Sequence, residues 1–150
     1  MDSINHYLRA GAMQRGLCAE WRAEWEEGFS REELVERYKR GLDFCLQHRF
    51  PSVDFIVANF ERDFLRSHGL YVREEDFIGG GKGVFVVQGG SYGELHFGGW
   101  DAATIWVADD SEVLVVAEGH CFVVVHQLDN SVVRVDSSGG ARVKVLNKKD

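Results

Sequence analysis

His96, His120, Cys121 and His126 are the side chains whose types suit metal binding or nucleophilic chemistry, because a histidine beside a cysteine can hold a thiolate. Adjacent His120 and Cys121 would point to opposite faces of a strand, and no third orienting group stands at a ligand-like spacing. Cys121 therefore reads as a small core residue and the histidines as residues near turns. Cys18 and Cys45 fall in helical apolar stripes. Gly79-Gly80-Gly81-Lys82-Gly83 has the glycine content of a phosphate cradle, but such a loop needs Ser or Thr after the lysine and a helix behind it. Gly83 follows the lysine and a strand-like segment comes next, so the stretch reads as a hinge. The paired carboxylates Glu26-Glu27, Glu32-Glu33, Glu74-Glu75-Asp76 and Asp109-Asp110 adjoin caps or turns and read as solvated faces rather than as an acid and a base in different environments. No catalytic set, metal or cofactor is expected.

The residues best able to hold a planar ligand are Trp21, Trp25, Tyr92, Trp100 and Trp106, with Arg62 and Arg66 available for its phosphates. Gly98-Gly99-Trp100-Asp101 is the expected exposed aromatic loop, since glycines before a tryptophan let a ligand approach the backbone.

The elements that must position these residues follow two different periods. Up to residue 78 apolar residues recur every three or four positions, and beyond it Val-rich segments alternate with a period of two. A first helix begins at Asp2 or Ser3 and runs to Gly16; a second presents Leu17, Trp21 and Trp25. Ser30 and Glu33 form a capping box for a third, carrying Leu34, Val35, Tyr38, Leu42, Cys45 and Leu46 to about His48. Pro51-Ser52 opens a fourth, with Val53, Ile56, Val57, Phe60 and Phe64 inward and Gly69 as its stop. Arg49-Phe50-Pro51-Ser52 between the last two would suit a helix-turn-helix, but its reading face carries Asp54, Asn59, Glu61, Arg62, Asp63 and Arg66, and the acids would repel phosphate.

In the second half the triplets Ala103-x-Ile105-x-Val107, Ser111-x-Val113-x-Val115, His120-x-Phe122-x-Val124, Ser131-x-Val133-x-Val135 and Ala141-x-Val143-x-Val145 recur at offsets of 8, 9, 11 and 10 residues, with Gly93-x-Leu95-x-Phe97 one step earlier. Strands this close, with no helix between them, leave a meander, a sandwich or a short β-solenoid in which each strand stacks on its equivalent; an antiparallel sheet would use the same strands with different partners, and the solenoid is the preferred reading. Corner residues Asp109-Asp110, Asp129-Asn130, Ser137-Ser138 and Gly139-Gly140 suit turns with some left-handed conformations. The reading is thus an α+β chain: four short helices over 1–78, then an all-β Val-rich repeat over 79–150. On the opposite face of this repeat lie Trp106, Leu114, Val116, Val123, Val125 and Val132, giving way to Arg134, Arg142 and Lys144. Strands apolar on both sides need cover on both sides, from the helical half or from another subunit, and these six residues are the expected interface of a homo-oligomer.

The chain has 150 residues, 45% hydrophobic and 27% charged, which suits one domain or two small halves and excludes a disordered chain. Its 17 basic against 24 acidic residues give a net charge of −7, so nucleic acid is not an expected partner. Three cysteines without a pairing pattern, and an N-terminus without a secretion signal, point to a cytoplasmic protein. No apolar run is long enough to span a bilayer.

Several segments together resemble a family of small uncharacterised proteins from gut Bacteroidetes genomes and their phages or mobile elements. They are Tyr7-Leu8-Arg9-Ala10, Gly16-Leu17-Cys18 ahead of Trp21 and Trp25, Phe50-Pro51-Ser52-Val53-Asp54-Phe55-Ile56, His68-Gly69-Leu70-Tyr71-Val72 and Gly119-His120-Cys121-Phe122-Val123-Val124-Val125. The resemblance implies a helical part followed by a solenoid-like part, and carries no activity or catalytic residue with it. The stretch from Gly79 to Gly83 departs from that family's more polar segment.

The functional expectation is a non-enzymatic homo-oligomer that binds a host protein or a small phosphorylated ligand, in its sharpest form a phage sponge for a nucleotide signal. Two alternatives stand beside it: a helix-turn-helix DNA-binding regulator, and a solenoid acyltransferase using His96, His120 or His126 between subunits, although such enzymes keep a stricter hexad repeat.

Overall fold

A computed structural model describes residues 2–16 and 30–147. The chain divides into two compact units, Met1–Asn59 and Phe60–Asp150. The second helix expected around Leu17, Trp21 and Trp25 lies outside the described residues.

The first unit holds α1 (Asp2–Gln14), α2 (Arg31–Arg40), α3 (Leu42–His48) and α4 (Val53–Asn59). The capping box is present: Glu33 N donates to Ser30 Oγ at 3.2 Å and Ser30 N donates to Glu33 Oε1 at 2.8 Å, satisfying two N-terminal donors of α2. The single helix read from Leu34 to His48 breaks at Gly41, whose N–H closes the end of α2 on Arg37 O and Tyr38 O. Leu8, Ala12, Leu34 and Phe50 form the core of this unit, with Ile4, Phe44 and Phe55 against it. The helix read from Pro51 to Gly69 is also two pieces, α4 and α5 (Arg62–Ser67). Of its supposed inward residues Ile56 is buried and Val57 exposed.

The second unit is α5 followed by nine strands: β1 (Leu70–Val72), β2 (Glu75–Gly80), β3 (Gly83–Gln88), β4 (Tyr92–Phe97), β5 (Ala102–Val107), β6 (Glu112–Ala117), β7 (Phe122–Gln127), β8 (Val132–Ser137) and β9 (Arg142–Asn147). They form two parallel sheets, β1-β3-β5-β7-β9 and β2-β4-β6-β8, so the chain is a β-solenoid with two strands per coil. The solenoid begins at Leu70, eight residues or more ahead of the boundary read from the period change. Gly79 to Gly83 is therefore part of the first coil rather than a hinge. Gly80 is required there, because it has φ 145° and a Cβ would stand 1.8 Å from His96 O.

Pairing runs at a constant offset of twenty residues from β3 onward, for example Gly83 opposite Ala103, Tyr92 opposite Glu112 and Ala102 opposite Phe122. Each strand with its corner is thus ten residues long, and the uneven offsets of the sequence reading disappear. That uniform step reverses one strand. In β7 the inward residues are Val123 and Val125, following Cys121, while Phe122 and Val124 point outward. The interior joins Tyr71, Phe77, Phe85 and Phe97 in the first coils to Ile105, Val107, Val113, Val115, Val123 and Val125 below them. At close to 0% exposure these side chains supply the main drive for the fold.

The corners are held by two columns of polar side chains. Gly89 N donates to Asp109 Oδ2 at 2.7 Å, and Asp109 N to Asp129 Oδ2 at 2.9 Å. Asp109 and Asp129 take the left-handed conformation, as the corner composition predicted. Inside this edge the buried hydroxyls of Ser91, Ser111 and Ser131 recur at the same step; Gly90 N and Ser91 N both donate to Ser111 Oγ at 3.1 Å. Such bonds satisfy backbone groups that a buried turn would otherwise strand. The first coil replaces this serine by Glu74, whose N–H donates to Ser91 Oγ at 2.9 Å. Its carboxylate, 2% exposed, accepts from Arg66 Nη2 at 2.7 Å and Nε at 3.1 Å. Hydrogen bonding to and charge from Glu74 raise the Arg66 pKa. The pair ties α5, which packs on β1, to the start of the solenoid.

Candidate functional site

The outer face of the five-stranded sheet is built by the alternate residues of β5, β7 and β9. Register sets them in three columns: Ala102, Phe122 and Arg142; Thr104, Val124 and Lys144; Trp106, His126 and Leu146. The Trp106 indole stacks on the His126 imidazole, centroids 3.9 Å apart and planes 14° apart. Phe122 is 48% exposed, and Val124, Trp106 and His126 are half-buried. The same face at the first coils is buried, at Leu70, Val72, Val86 and Gln88, where α5 meets β1. The surface thus changes from covered, through aromatic and aliphatic, to basic at Arg142 and Lys144. Its strands of six residues and three-strand width make a patch of about 20 by 14 Å.

At the adjoining corner, between β4 and β5, the second tryptophan repeats the arrangement. Trp100 stacks on His120 at 4.6 Å and 20° while remaining 82% exposed. Gly98-Gly99-Trp100-Asp101 is thus the exposed aromatic loop its glycines predicted. The turn is pinned by Asp101 N to Gly98 O at 3.0 Å, by Gly98 N to Asp101 Oδ2 at 3.1 Å, and by His120 N to Gly99 O at 2.8 Å.

Of the remaining ligand candidates, Trp21 and Trp25 lie outside the described residues, and the others do not join them. Tyr92 lies on the outer face of the other sheet, where the carboxylates of Glu75 and then Asp76 hold its phenol above the ordinary value. Arg66 is engaged by Glu74, and Arg62 Nε stands 3.6 Å from the same carboxylate. Trp100, Trp106, Tyr92, Arg62 and Arg66 therefore form no single pocket.

The six interface candidates also separate. Trp106 lies on the outer face of the five-stranded sheet, and Leu114, Val116 and Val132 on that of the four-stranded sheet. Val123 and Val125 are 0% exposed in the interior and cannot line a surface. Their misplacement has a simple cause: Phe122 to Val125 is apolar at every position, so alternation within the strand does not say which side is inward. The ten-residue step does, and it also brings out Phe122 and Val124, which the sequence reading placed inward.

The described polar candidates stand apart from one another. His96 sits on the outer four-stranded face, 2.9 Å from Glu94; His120 is at a corner, His126 on the opposite sheet and Cys121 in the core. Among the described residues no three His, Cys, Asp or Glu side chains are placed to hold a metal. Burial pushes the Cys45 thiol up to about 12, away from thiolate character. No helix among the described residues is long and apolar enough to cross a membrane. Comparisons with family models, curated proteins and solved structures returned no match to this chain.

Proposed function

We propose that this protein is a non-enzymatic binding protein that self-associates through the outer face of its five-stranded sheet. The observation that carries the reading is the row Trp106, Val124 and Phe122, apolar and partly exposed on a face whose first coils are buried. Apolar side chains in one contiguous row favour a partner that removes them from water. A patch of about 300 Å² is well below the roughly 800 Å² per partner of a stable complex, so this contact by itself is weak and reversible. The basic rim of Arg142 and Lys144 adds orientation rather than affinity.

Light scattering over a concentration series tests this reading. Average mass rises with concentration for the native chain and stays at the monomer value for Phe122→Glu, whose substituted side chain is on the surface and leaves the core intact. A native chain that remains monomeric up to millimolar concentration overturns it. The helix-turn-helix alternative loses its long reading helix to the break between α4 and α5. The acyltransferase alternative has no hexad repeat to rest on, since each coil has two strands of a ten-residue step.

A further inference from the structure

We propose that the ledge above Trp100 binds a planar aromatic anion, with its ring on the indole and its charge beside Lys82. The site goes beyond the self-association reading and does not depend on it. It originates in the length of the first coil. Gly80 lies opposite His96 and Gly83 opposite Ala103, so two residues, Gly81 and Lys82, turn the corner that residues 97–102 turn one coil later. The first coil is therefore four residues shorter at this corner, and Gly98 to Asp101 projects with no coil above it.

Trp100 stands on that projection. One face of its indole is occupied by His120 from the next coil, and the other points along the solenoid toward the missing turn. The column of rings ends below His120, because the next residue in line is Gly140, where even a Cβ would stand 2.8 Å from His120 Nδ1. On the open side a Cβ added at Gly81, Gly83, Gly98 or Gly99 would meet no atom within 4 Å. A flat ring can therefore continue the stack by one step. Offset stacking on an indole is tolerant of ring identity, which favours planar aromatic ligands as a class. Lys82 is exposed on the two-residue corner one coil above and is the cation assigned to the charge, while the Asp101 carboxylate is turned to Gly98 N and holds the loop. The hydrogen bonds across this turn place the indole before any ligand arrives, which reduces the ordering cost of binding.

The test follows the indole Nε1–H resonance of Trp100, assigned by its loss in Trp100→Ala, during titration with three probes. Adenosine monophosphate is planar and anionic, adenosine is planar and neutral, and ribose 5-phosphate is anionic without a planar ring. The monophosphate should shift the resonance saturably, adenosine more weakly, and ribose 5-phosphate not at all. Trp100→Ala, followed on the backbone amide resonances of Gly99 and Asp101, should weaken monophosphate binding by about tenfold or more. Lys82→Ala should bring the monophosphate down to the affinity of adenosine and leave adenosine unchanged. Both residues are exposed, so neither change disturbs the core. Absence of a saturable shift up to millimolar monophosphate, an equal response to ribose 5-phosphate, or full affinity in Trp100→Ala each overturns the proposal. Because the readouts are resonances of this one loop, a monomeric protein that binds and a self-associating protein that does not are told apart.

Discussion

Replacing Arg66 by alanine should cost more stability than replacing Glu74 by glutamine, although both changes remove the same ion pair. The asymmetry comes from exposure: the Glu74 side chain is 2% exposed and that of Arg66 44%. Arg66→Ala leaves a carboxylate enclosed at the first corner, with Arg62 Nε at 3.6 Å and the Arg62 side chain 66% exposed. Stranding one partner of a fully buried pair costs about 3–5 kcal/mol. Arg62 and the solvent on the guanidinium side reduce this to about 2–3 kcal/mol. Glu74→Gln keeps the shape and an acceptor, and its former partner turns to water, for a cost of about 1 kcal/mol. With about 2–4 °C per kcal/mol for a chain of this size, Arg66→Ala lowers Tm by roughly 4–12 °C. The double variant removes the stranded charge and should be more stable than Arg66→Ala alone, a coupling read from a double-mutant cycle in urea. Circular dichroism at fixed pH and calorimetry provide the measurements. Equal costs for the two single changes, or a double variant less stable than Arg66→Ala, would refute the enclosed-carboxylate argument.

The facing of β7 is open to a paired substitution: Val123→Glu should prevent folding by placing a charge in a 0%-exposed site, while the neighbouring Phe122→Glu leaves the melting curve nearly unchanged. Gly80→Ala should be strongly destabilising, by more than about 2 kcal/mol, and Gly98→Ala close to neutral, because only the former would press a Cβ into a carbonyl; chemical denaturation measures both. Native-state labelling with a thiol reagent at pH 8, read by mass spectrometry, should leave Cys45 and Cys121 largely unmodified until the protein unfolds, the first held near 12 by burial and the second 1% exposed. Burial raises the Tyr71 phenol above its ordinary value of 10.0. Its neutral form is the one the fold accommodates, so its contribution is complete below about pH 10 and lost as pH climbs through the raised folded-state value. Tyr71→Phe should flatten that alkaline decline in urea midpoints, and an unchanged decline would assign it elsewhere.

From sequence alone the strand-forming half, the capping box at Ser30 and Glu33, the left-handed corners at Asp109 and Asp129 and the exposure of Trp100 could all be read, because each rests on local pattern: alternation, side-chain-to-backbone reach, or glycine beside an aromatic. The short spacing favours a solenoid, but the same strands suit an antiparallel sheet, since pairing is not local. The tertiary structure alone decided the rest. Which side of Phe122 to Val125 is inward depends on strands twenty residues away, since four consecutive apolar residues carry no alternation. The first coil escaped notice because β1 is only three residues long, β2 ends in glycines and has no valine, and its corner is four residues short. Arg62 and Arg66, legible as cations, are spent on a carboxylate whose burial no local pattern records. Periodicity reports what a residue's neighbours along the chain permit; the coil stacking reports which residues twenty positions away occupy the same space, and that determines which aromatics are left at the surface.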